Sequence, residues 1–303
     1  MHEPRVAFLF VDGLGLSDAP ESPLHAEPLP TLRALTGDFG RAAFDREGLA
    51  YRALDATLDV EGLPQSATGQ TTLLTGVNAA RELGRHQGPH PGPRLRALLA
   101  EQSLHVWAAA CGLSVHHANG YRAEYLLRVG ASRRNMLSAF AIAARAAGCP
   151  LLDLAHPEAH WPAYWSDARA AGQALAVTSE AHHLTVLEHW ALDYAGHRER
   201  ETIALRLREL DAFVSGFLAA GTTTTLVLTS DHGNAEEPWH HQHSRNPVPL
   251  IVCGPAAASV PATLDSLTGV TPWLRGLWSA ESVVGAEPSA LGGEGQVSEP
   301  ELE

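Results

Sequence analysis

An α/β architecture, a mostly parallel sheet flanked by helices, is what this sequence predicts. Two observations carry the expectation. Short apolar runs that close on an acid (RVAFLFVDG, HHLTVLEHWALD, TTLVLTSD) alternate with segments whose apolar residues recur at helical spacing. The acids gather at strand carboxyl ends, which is where open parallel sheets bind their ligands.

Taken in order, RVAFLFVDGLG reads as a buried central strand that delivers Asp12 to its C-terminal end. PTLRALTG, from Pro30 to Gly37, opens on Pro and Thr and closes on Gly, the punctuation of a short helix. QSATGQTTLLTG places a further helix from Ser66 to near Gly76. Its small hydroxyl residues suit a helix cap, and equally a nucleophile aimed at a phosphate held by helix N–H groups. HHLTVLEHWALD and TTLVLTSDHGN are strands closing on Asp193 and Asp231, RERETIALRLRELDAFVSGFLA is the helix between them, and VPLIVCGP is one more strand. The stretch from 85 to 181 differs in texture, with clustered arginines in NGYRAEYLLRVGASRRNM and the tryptophan-rich HWPAYW, and reads as an inserted cap. The expected organisation is an α/β core of residues 1–84 and 182–285, a cap over 85–181 and a disordered, acidic tail over 286–303.

Composition narrows the function. The chain has 303 residues, 45% of them apolar. No run reaches the roughly 20 apolar residues that span a bilayer, and the N-terminus has no signal-sequence pattern, so a cytoplasmic protein is expected. A net charge of −13 argues against nucleic-acid or membrane partners. Cys111, Cys149 and Cys253 are too few for a disulfide framework or a cysteine zinc site and read as buried small hydrophobes. Lysine is absent, which excludes Schiff-base chemistry and the Walker phosphate loop. Anions must be met by arginine, backbone N–H groups or a metal. The 17 histidines favour imidazole and carboxylate ligation.

Four segments concentrate that chemistry: Asp12 at the first strand end, DYAGH with Asp193 and His197, SDHGN with Asp231 and His232, and HHQHSRNPVP with His240, His241 and His243. Gly196 in DYAGH is expected to give the backbone a sharp turn. Carboxylates converging on one sheet edge repel each other, and two divalent cations would cancel that repulsion. Mixed oxygen and nitrogen ligation suits manganese or zinc.

These segments, in this order, resemble the alkaline phosphatase superfamily. TSDHGNAEE, HSRNPVPLIV and DYAGHR are similar to its branch of cofactor-independent phosphoglycerate mutase and phosphopentomutase. The resemblance implies an alkaline-phosphatase-like sheet and two metal sites. Asp12, Asp231 and His232 match the ligands of one ion, which also contacts the nucleophile, and Asp193, His197 and His243 match those of the other. His240 and His241 are then solvated or outside the direct ligand set. Counting back from LLTG, the family pattern lands on Ser66 as nucleophile, with Thr68 as the alternative. Gln70 stands where the mutases carry histidine, and the large insertion of phosphoglycerate mutase is missing.

The implied activity is a metal-dependent phosphomonoesterase working through a phosphoserine on a small phosphorylated metabolite. The alternatives are a phosphomutase, a phosphodiesterase, or an inactive metal-binding relative. Arg122, Arg128, Arg133 and Arg134 are candidates to grip the substrate's phosphate or carboxylate, the other reading being a solvated cap helix.

Overall fold

Val6–Val11 (β1) is apolar at all six positions because both of its faces are covered, and it takes the middle of the sheet. The computed structural model describes residues 3–131, 137–161 and 163–279. The other strands are β2 (Phe44–Arg46), β3 (Leu49–Leu54), β4 (Val115–His117), β5 (Gly120–Tyr121), β6 (Leu152–Asp153), β7 (Leu184–His189), β8 (Thr225–Thr229) and β9 (Val248–Cys253). Seven of them form one sheet in the order β2-β3-β9-β8-β1-β7-β4, and β5 pairs with β6 separately.

β1 lies parallel to β7 on one side and to β8 on the other, with Phe10 opposite both Glu188 and Thr229, and β4 extends the parallel half beyond β7. The other half is antiparallel: β9 runs against β8, β3 against β9 and β2 against β3. The sheet is therefore mixed, with β8, β1, β7 and β4 as its parallel part. The antiparallel β9 has a consequence for the site. It begins at the edge where β8 ends, so the connection from Ser230 to Pro247 never leaves the C-terminal edge of β1, β7 and β8.

Successive β1 side chains point to opposite faces. Phe8 and Phe10 meet one layer, which includes the helices Ser66–Thr75, Pro93–Gln102, Leu104–Ala110, Ala139–Ala146 and Val270–Ser279. Ala7, Leu9 and Val11 meet the other, which includes Pro30–Thr36, Ala168–Ser179 and Ile203–Ala219.

The 85–181 segment does not stand apart from this core. β4 belongs to the main sheet, Ala168–Ser179 packs along Ile203–Ala219, and Phe140 stacks on Phe10 with ring centroids 4.4 Å apart. The parts that overlie the sheet edge are the β5–β6 pair, the Ala123–Ala131 helix and the turn ending at Trp161. Cys149 and Cys253 are buried as expected, whereas Cys111 is exposed just after the Leu104–Ala110 helix. Arg133, Arg134 and the 286–303 tail lie outside the described residues. Among the described residues no helix is long and apolar enough to cross a membrane.

Phe140 tests whether this region is core. Truncating a fully buried aromatic costs about 3–5 kcal/mol, so F140A is expected to lower the global unfolding free energy by that amount in urea titrations. A detachable cap would leave the main transition unmoved.

Candidate metal centre

Topology alone brings two acids together. Asp12 directly follows β1, its N–H donating to the His189 carbonyl at 2.9 Å, and Asp231 lies two residues beyond the adjacent β8. Asp193 differs from the sequence expectation. β7 ends at His189, and Asp193 occupies the first turn of the Ala191–Arg198 helix, with His197 in the last. Positions i and i+4 share a helix face, and this sets His197 Nε2 3.5 Å from Asp193 Oδ1. Gly196 accordingly makes no sharp turn. It is helical, and its missing side chain is needed elsewhere: a Cβ would fall 2.5 Å from Asn234 Oδ1. Asn234 Nδ2 in turn donates to Asp193 Oδ1 at 2.6 Å.

Ser66 is the first residue of its helix rather than the N-cap, which is Gln65. Its Oγ lies 3.0 Å from His232 Nε2 and so does not cap the backbone. Thr68 is fully buried and its Oγ1 donates to the Gln65 carbonyl at 3.0 Å, away from the acids. Gly69 permits the close approach of this helix, since a Cβ there would stand 2.8 Å from that of Asp231.

The expected ligand residues converge in two groups. His232 Nε2 lies 3.3 Å from Asp12 Oδ1 and 3.5 Å from Asp231 Oδ2. In the second group, the Nε2 atoms of His197 and His243 are 2.9 Å apart and lie 3.5 and 3.7 Å from Asp193 Oδ1. A point in the plane of those three atoms is about 2.0 Å from each, the length of a zinc–imidazole or zinc–carboxylate bond. His243 Nδ1–H donates to the Pro64 carbonyl at 2.7 Å, which leaves the Nε2 lone pair facing the site. His232 stacks on His243 at 3.7 Å and joins the two groups.

Electrostatics fit a cation. Asp12 Oδ1 and both carboxylate oxygens of Asp231 are buried and accept no hydrogen bond among the described residues. Burial is the main reason that both carboxyls are pushed well above the usual carboxylate range. The charges of Asp231, Asp193 and Glu188 add to the effect on Asp12, and that of Asp193 to the effect on Asp231. Burial, and then His243 and His197, hold the His232 ring well below its ordinary value, so it is neutral and can ligate. Orphaned carboxylate oxygens beside neutral imidazoles are what divalent ions bind.

A second set of side chains holds these in place. Buried Glu236 accepts from the Gly15 and Asn234 N–H groups at 3.2 and 2.8 Å, from Asn246 Nδ2 at 3.1 Å and from Ser244 Oγ, tying the loop after β1 to the 230–247 loop and holding that loop's two ends together. Gln70, noted in the sequence only as a departure from the mutases, donates to Asp12 Oδ2 at 3.1 Å. His240 pairs with Glu237 at 2.8 Å, and His241 is exposed.

Two cavities meet at Asp12, Ser66 and Asp193. One, of about 420 Å³, lies under the overhang and is lined by Tyr121, Tyr125, Trp161 and Trp190, with Arg122, Arg128 and Glu188. The other, about 770 Å³, runs past His197 and His243 to a rim of exposed Tyr194, Arg198, His241 and Gln242.

Residues 164–270, which contain Asp193, His197, Asp231, His232 and His243, match the family described as the Metalloenzyme superfamily. The PH0037 protein of Pyrococcus horikoshii shares the fold at TM-score 0.58 and 12% identity, over 92% of this chain and 98% of that one. A cold-active alkaline phosphatase from Shewanella sp. does so at TM-score 0.55 and 12% identity, over 90% and 99%. The fold is alkaline-phosphatase-like. A phosphoglycerate mutase from Leishmania mexicana aligns at TM-score 0.48 and 10% identity, over 89% of this chain and 94% of that one. No curated protein sequence matches the chain.

Within this alkaline-phosphatase-like frame, Glu188 is a site residue that the sequence reading passed over. It lies inside the apolar run of β7, fully enclosed, and burial pushes its carboxyl up to about 7 while Ser138 Oγ donates to it at 2.7 Å. An acid alone in a buried strand was the available signal. A carboxyl raised from 4.5 to about 7 keeps its proton longer in the folded state. Its contribution to stability is complete below pH 4.5 and is lost as pH climbs through 7. E188Q preserves an acceptor for Ser138 and carries no charge. Relative to wild type it is expected to gain about 1 kcal/mol at pH 5 and about 3 kcal/mol at pH 9, read by denaturant unfolding of metal-free protein. An equal gain at both pH values would contradict the assignment.

Proposed function

We propose that the chain is a two-metal phosphomonoesterase that acts through a phosphoserine at Ser66. The observation that carries this reading is the Ser66 Oγ, 3.0 Å from His232 Nε2, where the two cavities meet beside orphaned carboxylate oxygens. The fold and the Metalloenzyme superfamily match support metal-dependent phosphoryl transfer as its general class.

In this reading Asp12, Asp231 and His232 hold one divalent ion, and Asp193, His197 and His243 the other, as manganese or zinc. When bound, the ions supply the positive charge that favours the serine alkoxide and neutralises the phosphoryl oxygens. Ser66 Oγ forms the new bond to phosphorus as the ester oxygen departs. Water then breaks that bond, releases inorganic phosphate and restores the hydroxyl.

The overhang cavity takes the leaving group. At about 420 Å³ it suits a small metabolite. Arg122 lies over the Trp161 ring at 5.6 Å and Arg128 over Tyr125 at 5.9 Å, so both guanidinium groups are placed at its wall for a second anionic group on the substrate. Hydrolysis is favoured over mutase chemistry by the other cavity. A mutase must keep water from its phosphoenzyme, whereas the cleft past His197 and His243 ends among exposed residues.

Chelator-stripped protein reloaded with Mn²⁺ or Zn²⁺ is expected to release phosphate from p-nitrophenyl phosphate and from a panel of sugar phosphates. S66A should retain its metal and lose at least about three orders of magnitude in kcat. Full turnover in S66A would remove the phosphoserine. Isomerised sugar phosphate without free phosphate would make the enzyme a mutase.

A further inference from the structure

A third cluster of ligating side chains lies away from the site above. His116 is the middle residue of β4, His182 stands two residues before β7, and Glu158 belongs to the turn between β6 and the Ala168–Ser179 helix. Each offers one ligand atom, and these atoms lie within 4.8 Å of one another. In register, His116 faces Thr185, near the start of β7, whereas Asp193 follows its far end at His189. Four strand residues separate these levels by about 13 Å.

The surroundings leave these two imidazoles uncommitted. His116 is 8% exposed, and its Nε2–H donates to the Glu158 backbone carbonyl at 3.1 Å, which makes Nδ1 the free lone pair of the neutral ring. His182 Nε2 is buried and has no hydrogen-bond partner among the described residues. The rings stack in parallel, 4.6 Å apart at 12°, an arrangement that recurs in His232 and His243 of the first centre. Neighbouring histidines are already engaged: His160 Nε2 pairs with Thr178 Oγ1 at 3.0 Å, His183 bonds Ser114 and Glu3, and His156 Nδ1 accepts from the Glu158 N–H at 3.2 Å. A ring nitrogen tied to a backbone carbonyl, with the other left open, is the usual way a protein orients a metal-ligating histidine.

We propose that His116, Glu158 and His182 bind a third divalent cation of the zinc type, separate from the pair at the sheet edge. Two imidazoles and a carboxylate suit zinc, with water completing a tetrahedron. Ligand atoms in such a tetrahedron stand about 3.3 Å apart, and the exposed Glu158 side chain supplies the freedom to close that distance. The role of the ion is to clamp a loop. Glu158 and His160 lie on the turn that leads to Trp161 in the cavity wall, and His160 already pairs its backbone with Ala118 and Gly120. A cation at Glu158 fastens that turn to β4 and to the start of β7.

The test counts metal and does not depend on catalysis. Full-length protein is stripped with chelator, titrated with Co²⁺ and then Zn²⁺, and its bound metal is measured by elemental analysis. Wild type should hold one equivalent more than either E158Q or H182A. D12N/D193N, impaired in the first centre, should keep one equivalent with the visible bands of tetrahedral cobalt, and adding H182A should abolish those bands. Because Glu158 is exposed, E158Q guards against loss by misfolding, checked by circular dichroism. Equal metal content in wild type, E158Q and H182A, or no cobalt bands in D12N/D193N, overturns the proposal.

Discussion

Asp12 and Asp231 sit side by side beyond adjacent strands, buried, with Asp193 close enough to raise them both. Among the described residues the ion-pair partners of these three acids are imidazoles, never arginine. Concentrating acids in so little water is unfavourable unless positive charge arrives, and neutral histidines bring none. The rest of the site answers to this constraint. Gly69 lets the Ser66 helix press against Asp231, Gln70 reaches back to Asp12, and Glu236 fastens the loop after β1 to the 230–247 loop so that Asp12 and Asp231 cannot drift apart. A scaffold built to hold repelling groups together is a scaffold for cations.

The mixed sheet makes that scaffold economical. With β8, β1 and β7 parallel and adjacent, Asp12 and Asp231 reach one edge without long connections. The antiparallel β9 then turns the 230–247 segment into a loop that stays there, so a single stretch supplies Asp231, His232, Asn234, Glu236 and His243. A parallel β9 would have needed a crossover and would have started from the opposite edge, carrying His243 away. The antiparallel β9 is thus part of how the centre is assembled.

Much of this was legible in the sequence, for identifiable reasons. Fully buried strands such as VAFLFV announce themselves as apolar runs, and an acid at each end is conspicuous against them. Asp193 was expected at a strand end and lies in a helix, because Trp190 continues the apolar run past the strand end and Gly196 suggests a turn where the backbone stays helical. β4 escaped notice because its three residues, Val-His-His, carry little apolar signal, although both histidines are buried. The Ala139–Ala146 helix was drawn into a supposed cap by the arginines before it, while its own Phe140 is core. Glu236 and Asn234 act through backbone N–H groups and a side-chain contact distant in sequence. No local pattern announces that, since the partners meet only when the loops fold.

The absence of lysine explains how positive charge is distributed. An ammonium on a flexible stem could have been pushed in among the acids as a fixed counter-charge, whereas a guanidinium is broad, planar and permanently charged. Two arginines, Arg122 and Arg128, stand at the cavity wall over Trp161 and Tyr125, and the floor is left to carboxylates and imidazoles. Charge at the floor must then come from exchangeable ions, which can sit within bonding distance of an oxygen that an arginine could only approach through a hydrogen. In the phosphomonoesterase proposed above, that division would put anion recognition at the wall and activation of the serine at the floor, so changes in the overhang would alter what is bound while the chemistry beneath stays the same.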